Sequence, residues 1–269
     1  MQYYDYDVSA NVSLLFTEVP YLDRFQAAAD AGFRTVESWW PFTEPHPGND
    51  RVDEVAARIA DAGVQLIGLN FYAGDMPGGE RGVTCRPERA EELDRSTDAL
   101  LRLARATGVR SFNLLYGQPD EGEEQAQRAH AVGAYRRAAE AVAEIDGTIL
   151  VEPLARGLNG SYPLHDDQDV AALIEEVGSP RLALLFDSFH LGMNGVDVAA
   201  VARQRAAEIG HVQLADSPGR GEPGSGDLDF TAIAAALHEG GYRGTVAAEY
   251  KPTRATTDTL DWLTPSAGR

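Results

Sequence analysis

Thr148-Ile149-Leu150-Val151-Glu152 is an apolar run that ends in a carboxylate, and the second half of the chain repeats this arrangement three more times. Leu182 to Asp187, Gly210 to Gln213 and Thr245 to Glu249 are also short runs that finish on an oxygen-bearing side chain. The four end residues are separated by 35, 26 and 36 positions, about the length of a βα unit. Parallel strands of one barrel bring their C-terminal ends to a common rim. Three carboxylates and one amide oxygen then meet at one place. Like charges repel strongly where water is excluded. A divalent cation relieves that repulsion, so the pattern reads as a metal site built by Glu152, Asp187, Gln213 and Glu249. Carboxylate and amide oxygens are hard donors and favour Mg²⁺ or Mn²⁺ over Zn²⁺.

Outward from these runs, β-like segments alternate with amphipathic ones along the whole chain. Strands are expected at Val8–Val12, Phe33–Glu37, Val64–Leu69 and Arg110–Leu115, then at Thr148–Glu152, Arg181–Asp187, His211–Leu214 and Thr245–Glu249. Helices are expected at Tyr21–Ala31, Arg51–Ala62, Pro87–Thr107, Glu123–Ile145, Asp167–Val177, Val196–Glu208, Phe230–Glu239 and Thr256–Leu263. In Arg51–Ala62, Val52, Val55, Ala56 and Ile59 recur at helical spacing. Eight such repeats suit a single (β/α)₈ TIM barrel spanning residues 1–269. The rival, a doubly wound open sheet, often opens with a glycine-rich phosphate turn. Here the first strand runs into Ser13-Leu14-Leu15-Phe16 instead.

The composition narrows the partners. The chain has 269 residues and a formal net charge of −19, which disfavours nucleic acid and anionic membranes. It contains one cysteine, so no intrachain disulfide is expected, and it lacks an export-like start. The expectation is a cytoplasmic protein with a small-molecule substrate, acting alone or as a homo-oligomer.

Other residues could line the site. Glu37 ends the second strand and is followed by Ser38-Trp39-Trp40, aromatics that either wall a pocket or pack the barrel. His190 lies three residues after Asp187, in the expected loop beyond that strand. His211 shares a strand face with Gln213, deeper in the barrel. Arg220 sits in the glycine- and proline-rich loop 215–227, where it could clamp a substrate carboxylate bidentately.

The chain resembles the hydroxypyruvate isomerases of the xylose-isomerase-like TIM-barrel superfamily. The likeness rests on residues 10 to 16, Ala73-Gly74-Asp75 with Gly79-Glu80-Arg81-Gly82, the stretch 211 to 226, and Glu249-Tyr250-Lys251-Pro252. The resemblance implies a metal held by Glu152, Asp187, Gln213 and Glu249. It also implies that Glu152 and Glu249 act as acid and base through a metal-stabilised enediolate, and that His190 and Arg220 contact substrate. Ala155 stands where the family often has asparagine. That departure predicts a less polar pocket and a longer hydroxy-carbonyl substrate.

The same apparatus would serve a ketose 3-epimerase or a dehydratase. A Schiff-base aldolase using Lys251, the only lysine, a non-catalytic binding barrel and a DNA-repair endonuclease are the other readings. The endonuclease needs a basic face and several clustered histidines.

Overall fold

A computed structural model of the chain describes residues 1–264. The strands are β1 (Gln2–Tyr3), β2 (Tyr6–Asn11), β3 (Thr35–Ser38), β4 (Gln65–Asn70), β5 (Ser111–Asn113), β6 (Thr148–Val151), β7 (Leu182–Asp187), β8 (Ile209–Leu214) and β9 (Val246–Ala248). Each of β2 to β8 pairs in parallel with the next. Val8, Ser9 and Ala10 of β2 pair with Val246, Ala247 and Ala248 of β9, which closes the barrel. The fold is therefore the expected (β/α)₈ TIM barrel.

Long helices cover the outside: α1 (Arg24–Asp30), α2 (Asn49–Asp61), α3 (Ala90–Thr107), α4 (Glu124–Ala143) and α5 (Asp167–Val177). The short α6 (Ser188–Met193) precedes α7 (Val198–Arg205) and α8 (Phe230–Glu239). The core lies both inside the barrel and between strands and helices. Leu93, Leu100, Leu101 and Leu103 of α3 are buried, as the spacing of its leucines predicts. Gly108 ends α3 at φ +82°, a conformation that a Cβ disfavours, and the chain turns at once toward β5.

Three local expectations need correction, and one pairing was not expected. Tyr21–Ala31 is not one continuous α-helix, because Tyr21–Asp23 forms a 3₁₀ turn before α1. His190 lies in α6 rather than in a loop, because the Asp187 side chain caps that helix by accepting from the His190 N–H at 3.0 Å. Gln2–Tyr3 forms a small antiparallel pair with β2 that the amphipathic pattern did not reveal. Thr256–Leu263 is not an α-helix, and only Thr256–Thr259 coils, as a 3₁₀ turn. Its threonines are poor helix formers, and tertiary bonds hold them instead: the Thr256 hydroxyl accepts from Phe16 N–H, and Thr256 N–H donates to Glu18. Thr264 then pairs with Gln2.

Phe112 on β5 is fully buried, edge-on to Phe71. Phe112→Ala is expected to lower stability by about 3–5 kcal/mol. Chemical denaturation should show a lower midpoint with a similar slope.

Candidate active site

All the candidate residues except Trp40 and Lys251 gather at the C-terminal end of the barrel. In the register of β7 and β8, Asp187 is directly opposite Gln213. Glu152 follows β6, and Glu249 follows β9, where its N–H donates to Leu214 O. Asp187 is fully buried, Glu249 is 2% exposed and Glu152 is 5% exposed.

The lower layer is centred on Glu37. Its Oε1 accepts from Asn11 Nδ2 and from Gln213 Nε2, each at 2.8 Å, and its Oε2 lies 2.5 Å from His211 Nε2. Gly68 on β4 makes room for it, since a Cβ there would stand 3.2 Å from Glu37 Oε2. Glu37 thus has both oxygens engaged by the protein. Its bond to Gln213 fixes that amide, and the Gln213 oxygen is left buried without a partner among the described residues. Asp187 Oδ2 is likewise buried and unpartnered. Two bare acceptors on adjacent strands are costly unless something fills them.

Glu249 is held on both oxygens. Oε1 accepts from Trp39 Nε1 at 2.7 Å and from Asn11 Nδ2 at 3.2 Å, and Oε2 accepts from Arg220 Nη2 at 2.6 Å. Arg220 Nη2 is also 3.7 Å from Asp187 Oδ2. The guanidinium lies over the rings of Phe189 and Trp39. Burial alone would weaken its hold on its proton, but Glu249, then Asp187 and Glu152, outweigh that and keep it firmly charged.

Asp216 shapes the loop that delivers Arg220. Its carboxylate accepts from the N–H groups of Ser217, Gly224, Gly226 and Leu228. A Cβ at Gly226 would fall 2.6 Å from Ser217 O, so only glycine fits this close turn. Arg220 itself takes φ +60°, a strained value for a side chain of its size. Lys251 N–H ties its carbonyl at 2.7 Å. Beyond that backbone bond Lys251 is exposed and lies past the end of β9, which argues against a Schiff-base lysine inside the barrel. Of the aromatic pair, Trp39 reaches the site, whereas Trp40 packs against Phe42 and Tyr72.

Glu152 accepts from Asn113 Nδ2 at 2.6 Å. Burial first, and then the charge of Asp187, push its carboxyl up to about 8. Burial likewise raises Glu249 well above the ordinary carboxylate range, against the pull of Arg220. Glu152 can therefore take up and release a proton near neutrality, and Glu249 holds its proton more tightly than an ordinary carboxylate. Burial drives His190 down to about 4, so it is neutral at pH 7. Its Nδ1 accepts from Ala155 N–H at 3.0 Å, which places the ring proton on Nε2. Nε2 lies 3.7 Å from Glu152 Oε1 and 4.0 Å from Asp187 Oδ2. Ligand atoms of Glu152, Asp187 and His190 all fall within 4.8 Å of one another, a cluster able to hold a metal ion. With its proton on Nε2, however, His190 is a donor into the site, and oxygens are left to ligate.

Sequence reasoning passed over Asn11, Asn113 and Asn159. The first two end strands in the same way as Glu37 and Glu152, so polar strand ends in the first half of the chain carried a usable signal.

The Xylose isomerase-like TIM barrel family matches residues 25–266. The chain belongs to this family. It is 34% identical to the hydroxypyruvate isomerase of Escherichia coli, over 96% of this chain and 98% of that one. It is 31% identical to a 2-oxo-tetronate isomerase of Pectobacterium atrosepticum, over 96% of both chains. These full-length relatives are named as isomerases. The solved structure of a protein named AP endonuclease, family 2, from Brucella melitensis superposes with a TM-score of 0.88 at 30% identity, covering 96% of this chain and 97% of that one.

Glu152 binds a proton more tightly when folded than when unfolded. Without metal it therefore stabilises the fold fully below about pH 4.5, and that contribution is lost as pH rises to about 8. In chelator, Glu152→Gln should melt above the wild type at pH 8, and the gap should close toward pH 4.5. A gap that does not depend on pH would contradict the assignment.

Proposed function

We propose that the protein is a metal-dependent isomerase of small hydroxy-keto acids, moving a carbonyl between neighbouring carbons as in hydroxypyruvate isomerisation. The observation that carries this reading is the pair of orphaned buried acceptors, Asp187 Oδ2 and Gln213 Oε1, at the rim that also holds Glu152 and Glu249. Those atoms and the two glutamates form a hard-oxygen donor set suited to Mg²⁺ or Mn²⁺. When bound, such an ion supplies Lewis-acid polarisation of the substrate's carbonyl and hydroxyl oxygens.

The chain's own residues supply the proton transfers. One of Glu152 and Glu249 removes the proton from the hydroxyl-bearing carbon, giving an enediolate, the other delivers a proton to the former carbonyl carbon, and the hydroxyl proton passes to the former carbonyl oxygen. Their raised proton affinities suit both tasks. His190 Nε2–H donates to developing negative charge on oxygen, as a neutral group that leaves the local charge balance unchanged. Trp39, Asn11 and Arg220 hold the Glu249 carboxylate in a fixed orientation. Phe189 and Trp39 keep water from the flanks of Arg220. The names of the relatives support hydroxy-keto acids as substrates. The acidic chain, at net charge −19, is a poor match for DNA phosphates, despite its likeness to the Brucella protein named as an endonuclease.

Ala155 takes part through its backbone. Its N–H orients His190, and its carbonyl accepts from Asn159 Nδ2 at 2.9 Å. The Asn159 amide is engaged by Arg81 and Ala155, so it braces this loop.

Two outcomes are expected. Glu249→Gln should retain metal binding but lose about 10²–10⁴-fold in kcat with hydroxypyruvate. Near-normal turnover would exclude Glu249 as acid or base. Mn²⁺ should raise the melting temperature of the wild type, and Asp187→Asn should remove most of that increment in calorimetry. An equal shift in both proteins would place the ion elsewhere.

A further inference from the structure

Arg81 lies in the loop after β4, at the rim, and the ring of acids does not neutralise it. Its Nε donates to Asn159 Oδ1 at 2.8 Å, and its Nη1 donates to Met76 O at 3.0 Å and Glu80 O at 2.6 Å. Among the described residues no carboxylate lies within 4.0 Å of it, and Nη2 makes no hydrogen bond. Its neighbours in sequence behave otherwise: Arg86 pairs with Asp120, and Arg89 with Glu80 and Glu92. A half-buried guanidinium without a counter-ion in a chain of net charge −19 is a place prepared for an anion.

The hydrogen-bond path from Arg81 leads into the active site. Asn159, which accepts from Arg81, donates to Ala155 O, and Ala155 N–H donates to His190 Nδ1. Gln118 braces the same junction by donating to Gly79 O at 3.1 Å and Asn159 O at 3.0 Å. The charge is close enough to matter: Arg81 helps to depress the proton affinity of His190, while Arg220 and Glu152 act in opposite directions on Arg81 itself.

A hydroxy-keto acid is an anion, yet it must enter among Glu37, Glu152, Asp187 and Glu249. The other guanidinium at the rim, Arg220, is already committed to Glu249 and lies near Asp187. We propose that Arg81 binds the substrate carboxylate through its free Nη2 edge, and so selects hydroxy-keto acids over neutral ketoses; this rests on the isomerase function proposed above. The three bonds on Nε and Nη1 hold the guanidinium plane still, so little ordering remains to be done on binding.

The test compares wild type, Arg81→Gln and Arg81→Lys, each with Mn²⁺. Arg81→Gln should raise KM for hydroxypyruvate roughly 10- to 100-fold with little change in kcat, the loss expected of a charge-assisted hydrogen bond. Arg81→Lys should recover part of it. Calorimetry with glycerate, which has no carbonyl to react, should show the same loss of affinity without turnover. Wild type should also bind glycerate at least tenfold more tightly than neutral glyceramide, a comparison that needs no variant to fold. Equal affinity for those two compounds, or an unchanged KM and glycerate affinity in folded Arg81→Gln, overturns the proposal. If wild type fails to isomerise hydroxypyruvate but binds glycerate through Arg81, the carboxylate site stands and the functional reading fails.

Discussion

Burying four acidic side chains at one end of a closed apolar barrel is the constraint on which the rest of the structure depends. Glu37, Glu152, Asp187 and Glu249 are each 5% exposed or less. A bare carboxylate in such surroundings costs several kcal/mol. The protein meets that cost in a different way at each position. Glu37 is saturated by Asn11, Gln213 and His211. Glu249 is saturated by Trp39, Asn11 and Arg220. Among the described residues Glu152 has only Asn113 as a close donor, and it binds its proton more tightly. Asp187 uses one oxygen for the α6 cap and leaves the other bare. The order of satisfaction sets Glu37, fixed on both oxygens, apart from Glu152 and Asp187, which keep an oxygen open, while Glu249 is oriented by its partners and still holds a raised proton affinity.

The loops at the rim are built to hold the groups that balance this charge. Asp216 organises one loop through four backbone N–H groups, so that Arg220 can be held at a strained φ. Asn159 ties the loop after β6 to the loop after β4, linking Arg81 to the backbone of Ala155. That backbone in turn decides which nitrogen of His190 bears the proton. A hydrogen-bonded chain therefore connects Arg81 to a donor facing Glu152. Rigid loops of this kind suit a site that must bring a small anion to buried carboxylates without letting water in.

The barrel and the gathering of Glu152, Asp187, Gln213 and Glu249 at one rim were legible in the sequence. Strand ends recur at βα spacing, and closure of a parallel barrel leaves little freedom in where those ends go. Irregular segments were not legible. The stretch Thr256–Leu263 has an apolar pattern that a helix would accept, but bonds to Phe16 and Glu18 outweigh weak local propensity. Loop side chains such as Asn159 carry no periodic signal at all.

What the sequence by itself determined is the kind of atoms at the site, because a polar residue closing an apolar strand has only the rim to occupy. The assignment of roles among them came from tertiary contacts alone. Glu37 and Glu152 look alike as strand-ending glutamates, yet one is saturated by His211, 174 positions away in sequence, and the other is left with raised proton affinity. Proton affinity, tautomer and unpaired charge depend on which donors lie within about 3 Å. In a barrel closed by β2 against β9 those neighbours come from opposite ends of the chain.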